Sequence, residues 1–95
     1  MIKIVAACAN GSGTSLMMEL KIKQICKELG IDAQVCHCPI SEAKSTASRY
    51  NVVVTAVNFL SQFKSAEEAG VKVIAVKNIL SADELKQKFI EAGIK

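Results

Sequence analysis

The sequence predicts an α/β fold: a four-stranded parallel sheet in the order 2-1-3-4, doubly wound (Rossmann/flavodoxin-like), with helices on both faces. Two observations carry this. Short apolar runs rich in Val and Ile alternate with segments whose apolar residues recur at helical spacing. Every connection between the apolar runs reads as helical, and strands joined by crossover helices lie parallel and are buried on both faces. Right-handed crossovers then favour the doubly wound strand order.

The elements follow in sequence. "IKIVAA" (residues 2–7) reads as a buried strand, and residues 14–29 as a helix whose buried face is marked by Met18, Ile22, Ile25, Cys26 and Leu29. Gly30 stops that helix. "DAQVCHC" is a second strand ended by Pro39, and "SEAKSTASR" a short helix. "NVVVTAV" is a strongly β-branched third strand, "FLSQFKSAEEAG" a mixed turn-and-helix connection, and "VKVIAV" the fourth strand. Ser81 opens the last helix: with Glu84 it makes a capping box, Leu80 and Leu85 stand at hydrophobic-staple spacing, and Leu85, Phe89 and Ala92 continue the buried face.

Ninety-five residues, about half of them apolar, fit one globular domain spanning 1–95 with a core of its own. The net charge of +3 is mild, there is no basic run, and the only aromatics are Tyr50, Phe59, Phe63 and Phe89, which argues against a nucleic-acid stacking platform. No signal core or run of membrane-spanning length is visible, so a soluble, cytoplasmic chain with its four cysteines mostly reduced is expected.

The loop "CANGSGTS" holds the chemistry. In a 2-1-3-4 sheet it borders the switch point between strands one and three, beyond the carboxyl ends of the strands, where ligands bind. Gly11 and Gly13 let backbone amides converge, and the following helix presents its first N–H groups to the same point. The result is an anion cradle, though neither a Walker loop nor a dinucleotide fingerprint. Cys8 stands at its entrance, where amide dipoles and a helix N-terminus lower a thiol pKa and favour the nucleophilic thiolate. Ala9, Asn10, Gly11, Ser12, Gly13, Thr14 and Ser15 are the candidate phosphate-binding residues, Cys8 the candidate catalytic one, and no metal or cofactor is expected. Cysteine phosphatases read Cys, five residues, Arg, then Ser or Thr; here Thr14 stands where the Arg would be. A hydroxyl adds no charge to clamp a hydrolytic transition state, so the loop reads as one that accepts a phosphoryl group and passes it on.

On "IVAACANGSGTSLMM" and "VIAVKNILS" the chain resembles, over essentially its whole length, the IIB component of the bacterial phosphoenolpyruvate-dependent sugar phosphotransferase system, of the ascorbate/galactitol type and closest to the ascorbate branch. The resemblance implies a phosphocysteine relay. Phosphate arrives on Cys8 from a phosphohistidine of a IIA component and leaves for a sugar held by a membrane IIC permease, with which the protein associates transiently. Two rivals stand beside this reading. One is a small cysteine-dependent phosphatase or arsenate-reductase-like enzyme, opposed by the missing Arg. The other is a receiver-type binding module, which would want an Asp at the end of the third strand, where the chain has "VVVTAV".

The remaining candidates have plainer readings. Cys26 lies on the apolar face of the first helix and reads as core. In "CHC", Cys36 and Cys38 face one side of a strand and His37 the other, and no second ligand pair completes a zinc site. Cys38, near the end of strand two, could approach Cys8 and form a silencing disulfide; His37 ranks well behind Cys8 as a relay residue. Lys21, Lys23 and Lys27 read as the wet face of a helix or, more weakly, as contacts for a partner. Asn58 and then Asn78 are second-tier candidates at the ligand edge of the sheet.

Overall fold

The computed structural model describes residues 2–8, 13–77 and 81–93. Four parallel strands, β1 (Ile2–Cys8), β2 (Ala33–Pro39), β3 (Val52–Ala56) and β4 (Lys72–Val76), form one sheet in the order β2-β1-β3-β4. The helices are α1 (Gly13–Leu29), α2 (Ile40–Thr46), α3 (Lys64–Glu68) and α4 (Ala82–Glu91), with 3-10 turns at Ala47–Arg49 and Val57–Phe63. The strand order and the doubly wound layering are those the sequence predicts.

Alternation along the strands builds two cores. Ile4, Ala6, Val52, Val54, Ile74 and Val76 pack beneath α1 and α4, against Met18, Ile22, Ile25, Cys26, Leu85 and Phe89. On the other face Val5, Ala7 and Val53 meet Ile40, Ala43, Ala47, Phe63 and Ala66. A strand covered on both sides has no polar alternation to display, which is why "VVV" is continuous. Each face has one large anchor, Phe89 on the first and Phe63 on the second, both essentially fully buried.

The ends of the elements follow their local chemistry. Gly30 takes φ 71, and the Ile31 N–H reaches the Cys26 carbonyl at 2.7 Å, closing α1 in the way a left-handed glycine permits. Pro39 is the last residue of β2, an edge position where a missing N–H is tolerated, and its extended backbone (φ −64, ψ 154) leads directly into α2. The expected helix over "SEAKSTASR" is divided, α-helical to Thr46 and 3-10 through Arg49. The connection after β3 begins earlier than expected, as a 3-10 turn from Val57. Ser81 Oγ accepts from the Glu84 N–H at 3.3 Å, as the capping reading requires, and the Glu84 carboxylate accepts from the Lys77 N–H at 2.7 Å. Leu80, the other half of the expected staple, lies outside the described residues.

Candidate active site

The strand order reverses between β1 and β3, so the crevice for a ligand opens at the carboxyl ends of these two strands. Cys8 is the last residue of β1 and is level with Pro39 of β2. The ladder between β1 and β3 has its last rung at Ala6 and Val54, so β1 continues two residues beyond it, to Cys8. The backbone of Gly13, Thr14 and Ser15 forms the start of α1. Ala9, Asn10, Gly11 and Ser12, the middle of the expected cradle, lie outside the described residues, as does Asn78. The structure therefore sets Cys8 and the first turn of α1 at the two ends of one short connection.

The electrostatics at the start of α1 suit an anion. Its first turn carries no acidic residue, whereas α4 opens with Asp83 and Glu84. No acidic side chain within that first turn offsets the positive end of the α1 dipole. Beyond that turn the helix shows water an apolar patch: Leu16, Met17 and Leu20 are 46%, 48% and 55% exposed, and Lys21 and Gln24 flank Met17 and Leu20.

Thr55 is the one buried polar residue among the described residues; it is fully enclosed, and its Oγ1 has no hydrogen-bond partner among them. It pairs with Ala75 of β4, and the β1–β3 register carried one step further sets it beside Ala7, the residue before Cys8. Asn58 stands exposed on the 3-10 turn just past β3.

A second polar group ties α1 to β2. His37 Nδ1 lies 3.0 Å from Glu19 Oε1, and Lys23 Nζ lies 3.4 Å from Glu19 Oε2. The His37 hydrogen bond, followed by Lys23, holds the Glu19 carboxyl below its ordinary value of 4.5 against the opposing effect of burial. An ionised carboxylate can only accept, so Nδ1 carries the proton in this pair and only Nε2 remains for another partner. Nothing local in the sequence announces this contact, because its partners are eighteen residues apart and meet only when α1 packs on β2.

The other cysteines divide as read. Cys26 is buried against the first core, and burial pushes its thiol pKa up. Cys36 and Cys38 are half-buried on the α2 side, while His37 reaches Glu19 of α1 on the other. Register pairs Cys38 with Ala7, and Cys8 with Pro39, so positions 8 and 38 are out of phase by one residue. That offset opposes a disulfide between them. Lys23 and Lys27 are exposed on the wet face of α1, and Lys21 is half-exposed beside the apolar patch.

The fold and site define a doubly wound α/β protein with a cysteine at the end of its first strand, at the sheet's switch point. The profile of the family described as "PTS system, Lactose/Cellobiose specific IIB subunit" matches residues 3–91. The chain belongs to this IIB family of the sugar phosphotransferase system, whose members normally work with IIA and IIC components. A relative from Mycoplasma pneumoniae, named "Ascorbate-specific PTS system EIIB component", is 31% identical over 86 residues, 90% of this chain and 88% of its own. A relative of the same name from Escherichia coli O157:H7 is 28% identical over 90 residues, 95% of this chain and 87% of its own. Among solved structures, the lactose-specific IIB component domain from Streptococcus pneumoniae superposes with a TM-score of 0.72 at 17% identity, covering 95% of both chains, a likeness of fold.

Proposed function

We propose that the protein is a phosphoryl carrier that holds phosphate on Cys8 during uptake of an ascorbate-like sugar. The reading rests above all on the place of Cys8, at the switch point of the sheet and one short connection before a helix start that has no acidic side chain. In the first step the Cys8 thiolate attacks the phosphorus of a phosphohistidine on the IIA component. The S–P bond forms as the N–P bond breaks, and the histidine leaves neutral after taking a proton. In the second step a sugar hydroxyl held by the IIC permease attacks the same phosphorus. The O–P bond forms, the S–P bond breaks, the hydroxyl proton passes to solvent or a partner base, and the thiolate is restored.

The amides of Ala9 to Ser15, with the hydroxyls of Ser12, Thr14 and Ser15, are assigned to the phosphoryl oxygens, where fixed dipoles need not reorganise as charge develops. A site with neutral donors only, and Thr14 where a phosphatase has Arg, favours delivery to an oriented acceptor over hydrolysis. The exposed Leu16, Met17 and Leu20 suit the docking of a partner beside the cysteine. The names of the relatives favour ascorbate as the sugar. The whole of residues 1–95 acts as one such carrier domain in this reading.

The test is to incubate the protein with phosphoenolpyruvate, the general transfer proteins and the IIA component, and to map the label. A phosphate on Cys8 that disappears in Cys8→Ser, and that moves to sugar only when permease is added, is expected. Label that survives in Cys8→Ser, or rapid loss of phosphate to water without acceptor, would overturn it.

A further inference from the structure

On the α2 side of the sheet, far from Cys8, a cavity of about 170 Å³ is lined by Lys3, Gln34, Cys36, Arg49 and Tyr50. Among the described residues its lining contains two cations, an amide, a phenol and a thiol, and no carboxylate. Neither Lys3 nor Arg49 has a carboxylate at ion-pair distance among the described residues. Burial, followed by the nearby Cys36, Cys38 and Glu42, pushes the Tyr50 pKa up, so its hydroxyl stays a donor at neutral pH. Glu42 is close enough for Tyr50 to feel its charge, yet it does not line the cavity.

The walls are fixed to one another. The Lys3 N–H donates to Asn51 Oδ1 at 2.8 Å, and the Asn51 N–H donates to the Lys3 carbonyl at 2.8 Å. The Tyr50 N–H donates to the Ala47 carbonyl at 3.0 Å, closing the 3-10 turn that ends in Arg49. Arg49 and Tyr50 are thereby held beside the first strand through Asn51, on backbone that does not have to order when a ligand arrives. Cationic groups with the phenol and amide donors around one partly open pocket make a site for negative charge.

We propose that this cavity binds a small dianion, a phosphate-bearing or dicarboxylate metabolite, at a site separate from the cysteine loop. A space of about 170 Å³ suits a small ligand, of the order of a three-carbon phosphate, and not a nucleotide. Lys3 precedes Cys8 by five positions on β1, and at ~3.3 Å per residue the two are about 16 Å apart, so one such ligand cannot touch both. Arg49 supplies a planar fork to one oxyanion group and Lys3 a point charge to the other, with the Tyr50 hydroxyl donating between them. The proposal does not depend on Cys8 carrying phosphate.

Amide NMR shifts of the full chain, titrated at matched ionic strength, test it. The probes are inorganic phosphate, 3-phosphoglycerate and malonate, with chloride as the control. Saturable shifts at Lys3, Gln34, Cys36, Arg49 and Tyr50 are expected with the multiply charged probes and not with chloride. Comparison of the probes separates phosphate chemistry from carboxylate chemistry. Arg49→Gln should weaken binding by about tenfold or more, the loss of a charge-assisted bidentate contact, while Cys8→Ser leaves it unchanged. Tyr50→Phe should weaken it less. Because the Arg49 and Lys3 side chains are exposed, these variants are expected to keep the thermal midpoint. Shifts confined to the segment after β1, shifts equal to those from chloride, or affinity unaltered in a Lys3→Gln, Arg49→Gln double variant would each overturn the proposal.

Discussion

Replacing Thr55 with valine should make this protein more stable. The Thr55 side chain is fully enclosed between Ala75 and the end of β1, and its hydroxyl has no partner among the described residues. A buried hydroxyl without a hydrogen bond carries a desolvation penalty of about 1–3 kcal/mol. Valine keeps the β-branched shape that a central strand favours and puts a methyl group where the oxygen was, so the penalty is removed and apolar burial is gained. A net gain of about 1 kcal/mol corresponds to a rise of about 4–8 °C in thermal midpoint for a chain of this size. Urea unfolding at neutral pH is the assay, read as a shift of midpoint at constant slope. Thr55→Ser, which keeps the hydroxyl and loses the methyl, should instead fall by about 1 kcal/mol. If valine lowers the midpoint and serine does not, the hydroxyl has a partner in the folded protein and the reasoning is wrong. A fall in phosphorylation rate for valine alone would then assign that partner to the site at the end of β1.

Two further outcomes follow from the titrating groups. Glu19 is held below its ordinary value of 4.5, chiefly by His37, so it contributes stability that is present above that value and is lost as the pH falls through the lower folded one. Glu19→Gln should therefore be less stable than the unaltered protein at neutral pH, with a gap that closes on acidification below 4.5; a gap that stays constant would contradict the pairing. Alkylation with peptide mapping should find Cys26 the slowest thiol, because burial raises its pKa and closes access, and Cys8 the fastest, because it stands one short connection before a helix start. A Cys8 that reacts no faster than Cys36 would remove the electrostatic argument for its activation.

The architecture was legible because its elements are locally consistent. β-Branched runs with no polar alternation marked strands buried on both faces, and Val52, Val53 and Val54 do alternate between the two cores. Gly30 and Ser81 marked helix ends through local geometry that the structure retains. The mixed turn-and-helix character of "FLSQFKSAEEAG" was legible too, but not its start at Val57, which the sequence read as the end of the third strand because Val57 continues the β-branched run. At the site, strand-loop-helix grammar was enough to locate Cys8 and the start of α1. The Glu19–His37 pair, the unpartnered Thr55 hydroxyl and the cavity at Lys3 could not be read, because each depends on register between strands or on the seating of a helix.

The position of β1 in the sheet has a consequence for how the chain acquires its structure. Of the four strands of this sheet, the first in the chain is also one that needs neighbours on both sides, β2 on one edge and β3 on the other. Pairing with β2 closes within residues 2–39 and buries α1 against it, so this βαβ unit can gather while the rest of the chain is still being made. Its far edge stays open until Val52–Ala56 arrives, and then β4 must add outside β3. During that interval Ile4, Val5 and Ala6 expose one row of unpaired backbone groups. Slow addition of β3 would leave that row available to the same row of another nascent chain. Substitutions that weaken β3 should therefore lower the yield of native protein by more than their effect on the finished fold, and coexpressed chaperones should recover the difference.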